Sequence, residues 1–274
     1  MTISTGQLVE LALEMAGTDE LPADSAVYIA GSGLEKLMFG IDIGPAELLL
    51  ARDLGCDGVI AHHPAGGSAM LRFPEVLSRQ IELMVEHGVP DAVAVETVQP
   101  MLTRATMGAH AANFDRTPSV ARLLRMPFLN MHLPLDEVGR QIMVAAIDEH
   151  LVGLDHAPTV QDAIDALLTI PELAEAATPI MVPVGAVDSP LGKLAVVHGA
   201  GTNGGAAVAE VYFAHGVGTV LYIHCAGDEV RRLREGGHGN LIVSGHISSD
   251  MIGINRYVAE IEARGVEVVR VSGL

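Results

Sequence analysis

Apolar residues along this chain fall into two kinds of run that take turns. Short runs rich in Val, Ile and Leu predict strands at 27–30, 36–43, 58–62, 128–132, 180–187, 193–198, 219–224, 240–244 and 266–271. Stretches with helical spacing lie around them, at 6–16, 45–54, 74–87, 119–125, 137–150, 160–168, 204–214, 228–235 and 251–264. The last is the clearest: Ile254, Tyr257, Val258 and Ile261 recur at i, i+3, i+4 and i+7 on one face, and Gly265 supplies the stop. This alternation predicts an α/β fold of mostly parallel sheets flanked by helices. Prolines punctuate 154–158 and 176–183, which read as linkers. The stretch 97–115 reads either as one helix with a polar end or as a helix followed by a functional loop. No repeat or low-complexity segment interrupts the pattern.

Composition narrows the picture. The 274 residues suit one large domain or two modest ones. Hydrophobic residues make up 49% but aromatics only 3%, with no Trp, so the core must be built from Val, Leu, Ile, Ala and Met. The 30 glycines fit tight strand–helix turns. Sixteen basic against 34 acidic residues give a formal charge of −18 with no basic cluster, which disfavours nucleic-acid binding and favours cations. Two cysteines, Cys56 and Cys225, make no disulfide framework and point to a reducing, cytoplasmic setting. The first 17 residues read as a short helix and not as a signal peptide, and the apolar runs are too short to span a membrane.

Candidate chemistry gathers at three predicted strand ends, where ligands collect in α/β sheets. Ile60-Ala61-His62-His63-Pro64 follows the third strand. Neighbouring side chains on extended backbone point to opposite sides, so the two imidazoles can serve two metals, or one where the chain turns. The bland alternative is a pair of surface histidines in a turn. His132-Leu133-Pro134-Leu135-Asp136 follows the fourth strand. Alone, Asp136 reads more readily as a helix-terminal residue than as a ligand. Ser244-Gly245-His246-Ile247-Ser248-Ser249-Asp250 precedes the last helix, and His246 and Asp250, four apart, share a helical face. There the competing reading makes Ser249 or Asp250 a helix cap. The mixed imidazole and carboxylate set suits Zn, Fe, Mn or Ni.

Other features weigh less. Gly199-Ala200-Gly201-Thr202-Asn203-Gly204 fits the glycine pattern of dinucleotide sites, but no acidic residue closes the following strand, so a tight strand–helix turn is the better reading and a substrate-phosphate contact the alternative. His110, His198, His215, His224 and His238 read as structural or exposed, with His224, beside Cys225, the best outsider for a site. No base with an orienting partner can be read around Cys225 to make it a nucleophile.

The HHP after Gly-Cys-Asp-Gly-Val-Ile-Ala, the His-Leu-Pro-Leu-Asp element, the GHISSD helix start and the 36–64 stretch together resemble the dinuclear-metal-centre family, whose Nif3-like members are called GTP cyclohydrolase I type 2 homologues. The resemblance implies two divalent metal ions. His62 and His246 would ligate one, His63 and Asp136 the other, and Asp250 would bridge them, where family members usually carry Glu. His132 would be a catalytic or supporting group near the metals rather than a direct ligand. Two α/β domains are implied, 1–138 completed by 239–274 around an inserted 139–238. Also implied are a toroidal homo-hexamer with metals facing an internal cavity, and a metal-dependent, GTP cyclohydrolase-like hydrolase acting on a small molecule. The alternative is a non-enzymatic metal-binding or ring-shaped adaptor protein. The stretch between His63 and Asp136 is longer than the family pattern, marking 97–126 as an insertion or a divergent helical pair.

Overall fold

The computed structural model describes residues 2–274, which form α1 (Thr5–Ala16), β1 (Ala26–Ile29), β2 (Lys36–Gly40), α2 (Pro45–Asp53), β3 (Gly58–Ala61), α3 (Gly67–Val76), α4 (Ser78–Glu86), α5 (Asp91–Ala111), α6 (Arg116–Leu124), β4 (Phe128–Asn130), α7 (Leu133–Val152), α8 (Val160–Leu167), α9 (Pro171–Ala174), β5 (Met181–Val184), β6 (Lys193–Val197), α10 (Gly205–Ala214), β7 (Val217–Tyr222), α11 (Gly227–Gly236), β8 (Asn240–Val243), α12 (His246–Ala263) and β9 (Glu267–Val271). The chain divides into two compact units. Unit 1 comprises Met1–Val76, Leu102–Val138 and Gly253–Leu274; unit 2 comprises Leu77–Met101 and Gly139–Ile252.

Unit 1 is built on a five-stranded sheet in the order β1-β4-β3-β2-β9. All pairs are parallel except β1 with β4, which closes one edge antiparallel. The other edge is β9, the C-terminal strand, so the last residues of the chain complete its first sheet. Strand side chains alternate between faces. Leu37, Phe39, Ile60 and Leu129 pack with Leu8 and Leu11 of α1 and with Ile254, Tyr257, Val258 and Ile261 of α12. The intervening Met38, Val59, Ala61 and Phe128 pack with Leu48 and Ala51 of α2 and Ala121 of α6. Both faces are covered, which is why these strands read as unbroken apolar runs. Tyr257 buries its ring fully and satisfies its hydroxyl by donating to the Leu8 carbonyl at 2.7 Å.

Unit 2 repeats the plan with four strands in the order β5-β8-β7-β6, parallel except for the β5 edge. Ala195, Val197, Val220, Tyr222 and Leu241 face Leu83 and Met84 of α4, Val208 and Tyr212 of α10 and Leu233 of α11. Val196, Leu221 and Ile242 face Met143 and Ile147 of α7 and Ala163, Ile164 and Leu167 of α8. Among the described residues no helix is long and apolar enough to cross a membrane.

Three expectations shift. The helix expected over 74–87 is two helices separated at Leu77, the first beginning at Gly67 with Pro74 in its interior. The 97–115 stretch resolves into the C-terminal part of the single 21-residue α5, with Pro100 inside it, followed by the turn into α6. The strands expected to reach Ile43, His62 and His132 stop at Gly40, Ala61 and Asn130. The histidines therefore stand on the loops just past the strand ends.

Candidate metal site

In unit 1 the end of β3 delivers His62 and His63 while their backbone still follows the sheet. Their N–H groups donate to the carbonyls of Gly40 and Ile41, each at 3.0 Å. The end of β4 delivers His132, whose backbone N–H donates to Ser25 Oγ at 3.0 Å. Asp136 follows in the first turn of α7, where the helix dipole favours a carboxylate. His62 is fully buried, and His132 and Asp136 are 7% and 5% exposed.

Each imidazole is held from behind by an oxygen acceptor. His62 Nδ1 donates to the Met131 carbonyl at 2.9 Å, His63 Nδ1 to Asp42 at 2.8 Å, and His132 Nδ1 to the fully buried Asp24 at 2.7 Å. A neutral ring whose proton sits on Nδ1 carries its lone pair on Nε2, the arrangement in which a histidine ligates metal. The Asp136 carboxylate lies against two of these Nε2 atoms: Oδ1 is 3.1 Å from His62 and Oδ2 is 3.6 Å from His132. A lone pair facing a carboxylate in a buried place repels it, and a proton or a cation turns the repulsion into attraction. His62, His63 and His132 each offer a ligand atom, and these lie within 4.8 Å of one another. Their ring centroids are 4.9–5.5 Å apart. The three imidazoles are spaced so that they could hold a metal ion, and the buried carboxylate beside them adds a donor of the type that divalent transition metals take.

In unit 2 the end of β8 leads through Gly245, at φ +102°, into α12. His246 and Asp250 sit one turn apart there, with His246 Nε2 3.4 Å from Asp250 Oδ2. Asp250 is 2% exposed. Ser249, weighed as a cap, instead bonds Ser244 Oγ at 2.8 Å and the Gly245 carbonyl. That holds the first turn of α12 to the end of β8. His224, at the end of β7, brings its ring centroid to 4.7 Å from that of His246. The Asn203 amide nitrogen lies 2.8 Å from its Nδ1 and 3.4 Å from its Nε2.

At the glycine-rich turn before α10 the structure shows a strand–helix turn whose helix start is already bonded to a carboxylate. The Glu229 carboxylate already accepts from Ala206 N–H at 2.6 Å, at the helix start where an anion would bind. Cys225 is a poor nucleophile, because burial pushes its thiol up to about 11. Sequence reasoning passed over Asp24, Ser25 and Asp42. Asp42 stands just past the end of β2, so the strand-end rule could have found it. Asp24 lies before the antiparallel edge strand and 108 positions from His132, with no local pattern to mark it.

No family model and no curated protein matches the chain. Solved structures do. A NIF3 superfamily protein from Sphaerobacter thermophilus is 69% identical, with 99% of each chain covered and a TM-score of 0.98. Reduced HcgD from Methanocaldococcus jannaschii, 12% identical over 98% of each chain with a TM-score of 0.56, shares the fold. So does a Bacillus cereus protein related to NIF3, 10% identical over 99% of this chain and 97% of that one, with a TM-score of 0.50. The full-length match at 69% identity places this chain in the NIF3 superfamily.

Proposed function

We propose that the chain binds two divalent metal ions with His62, His63, Asp136, His246 and Asp250, and that it is a metal-dependent hydrolase of a small molecule. The observation that carries this reading is the buried His62–Asp136 pair at 3.1 Å, with His62 Nδ1 donating to the Met131 carbonyl. A buried carboxylate against an imidazole nitrogen calls for a proton or a cation between them, and the neighbouring imidazole donors favour the cation. Bound divalent ions of this donor class supply Lewis acidity and lower the pKa of water. The chain's own residues would hold and orient: Met131, Asp42 and Asp24 fix the three imidazoles, and Asp250 would supply a carboxylate where the family resemblance leads one to expect Glu. Zn, Fe, Mn and Ni all suit the donors. GTP-like purine rings are the substrate class that the family resemblance suggests, and assembly as a homo-hexamer belongs to the same reading.

Metal analysis by mass spectrometry on untagged protein tests it. About two ions per chain are expected in the wild type, with fewer in His63→Ala and in Asp250→Ala. A wild type that stays empty after reconstitution overturns the reading. A loaded protein that hydrolyses no nucleotide, phosphoester or amide with Zn, Mn, Fe or Co leaves the metal assignment standing and makes the chain a metal-binding or adaptor protein.

A further inference from the structure

We propose that unit 2 carries a binding site for a small organic ammonium ion, at the end of its sheet opposite the histidines. The observation behind it is a cavity of about 440 Å³ where the C-terminal ends of α10 and α11 meet the start of β7. Its lining includes Glu210, Phe213, Val217, Leu233, Gly236 and His238, and every lining residue belongs to unit 2. The volume is in the range of small-molecule sites. His224 and His246 stand past the other ends of β7 and β8, and the six residues of β7 put roughly 20 Å between its two ends. The cavity is therefore separate from the candidate metal ligands.

The chemistry of the lining selects a cation. α10 ends at Ala214 and α11 at Gly236, and each helix ends in carbonyls that together carry about half a negative charge. Glu210 adds a carboxylate. It holds Arg232 through both oxygens, at 2.8 and 2.5 Å, and each oxygen keeps a further lone pair. That pair is neutral overall, so the helix ends set the sign of the field. Among the described lining residues none is Lys or Arg. Arg234, in the last turn of α11, donates instead to the Pro183 carbonyl at 2.6 Å. Phe213, Val217 and Leu233 supply an apolar wall. An ammonium group facing the carbonyl ends, on an aromatic or aliphatic body packed against Phe213, matches both halves of the cavity.

The backbone keeps this space open. Gly239 must be glycine, because its φ is +66° and a Cβ there would run into the Phe213 ring. Gly236 is different. It is helical, its φ lies outside the left-handed region, and a Cβ there would meet nothing within 4 Å. The fold does not require glycine at this position, and helices disfavour it. What its missing side chain leaves is room at the cavity.

The test is binding of phenethylammonium to the full-length protein, followed by saturation-transfer NMR and by the rise of the melting temperature with ligand concentration. Phenethyl alcohol, which is uncharged, and phenylacetate, which is anionic, serve as controls of similar shape. Saturable binding of the ammonium at millimolar concentration is expected, at least fivefold tighter than either control. Gly236→Leu fills the space without changing the charge of the chain and is expected to weaken binding at least tenfold. Glu210→Gln removes a carboxylate from the lining and is expected to weaken it at least threefold. Should Gly236→Leu fail to fold, Gly236→Ala decides, with a loss of at least threefold expected. Affinity is expected to be the same before and after chelation of metal. Absence of saturable binding overturns the inference, and so does equal binding of the three probes. An unaltered affinity in the Gly236 variant also overturns it, because the cation is then gathered by the acidic surface as a whole. Binding lost on chelation puts the ligand at the metals and overturns it too. None of these outcomes touches the proposed function, which metal analysis tests separately.

Discussion

At the scale of single residues, the candidate site depends on what stands behind its histidines. Asp24 is the plainest case: a fully buried carboxylate whose Oδ2 accepts from His132 Nδ1. Removing it leaves a buried N–H without its acceptor, which costs about 1–3 kcal/mol. Asp24→Ala should lower the unfolding free energy of the metal-free protein by that amount in urea denaturation after chelation, and an unchanged midpoint would show that His132 finds another acceptor. The strand-end histidines and Asp136, His246 and Asp250 could be picked out from the chain because each follows an apolar run at a turn. Asp24 could not, since its partner is 108 positions away and only the pairing of β1 with β4 brings the two together.

At the scale of elements, helix termini carry much of the local order. In α8 the Thr159 side chain accepts from Asp162 N–H while Asp162 accepts from Thr159 N–H at 2.7 Å and from its hydroxyl at 2.6 Å, a reciprocal cap. These bonds hold the Asp162 carboxyl below its ordinary value of 3.8. A depressed carboxyl stabilises the fold above its unfolded pKa and loses that contribution as pH falls through the folded one. Thr159→Ala should therefore cost about 1 kcal/mol near pH 7, and the gap from wild type should narrow below about pH 4. Thermal melts at pH 7 and pH 3 check this; a gap that stays constant would show that the Thr159–Asp162 bonds do not couple to titration. The element pattern itself was largely readable from periodicity. The exceptions have local causes. The helix start at Gly67 was hidden by the Gly66-Gly67 pair, whose φ angles of +147° and +54° belong to a turn that runs straight into the helix. In 97–115, Pro100 and the polar threonines masked a helix that continues through them, with Thr97 and Thr106 bonding back to the carbonyls of Val93 and Leu102.

At the scale of the whole molecule, charge decides what the surface attracts. A net −18 repels phosphate backbones and concentrates cations, so no saturable binding to duplex DNA is expected at physiological salt. Fluorescence anisotropy with a labelled duplex tests it, and a micromolar isotherm that weakens with salt would reverse the conclusion.

The α/β class, the alternation of strands and helices and the residue types at the strand ends were determined by the sequence alone. They follow from the period of apolar residues and from turn chemistry, which act over a few positions. The family resemblance anticipated a first domain completed by the C-terminal segment, but the tertiary structure alone decided that β9 pairs with β2 at the sheet edge and that each of the two sheets is closed by one antiparallel edge. It alone tied Met131, Asp42 and Asp24 to the imidazoles of His62, His63 and His132. Such contacts join residues far apart in the chain. Their energy comes from packing two apolar faces at once and from satisfying buried polar atoms, and no local pattern encodes which distant partner does so.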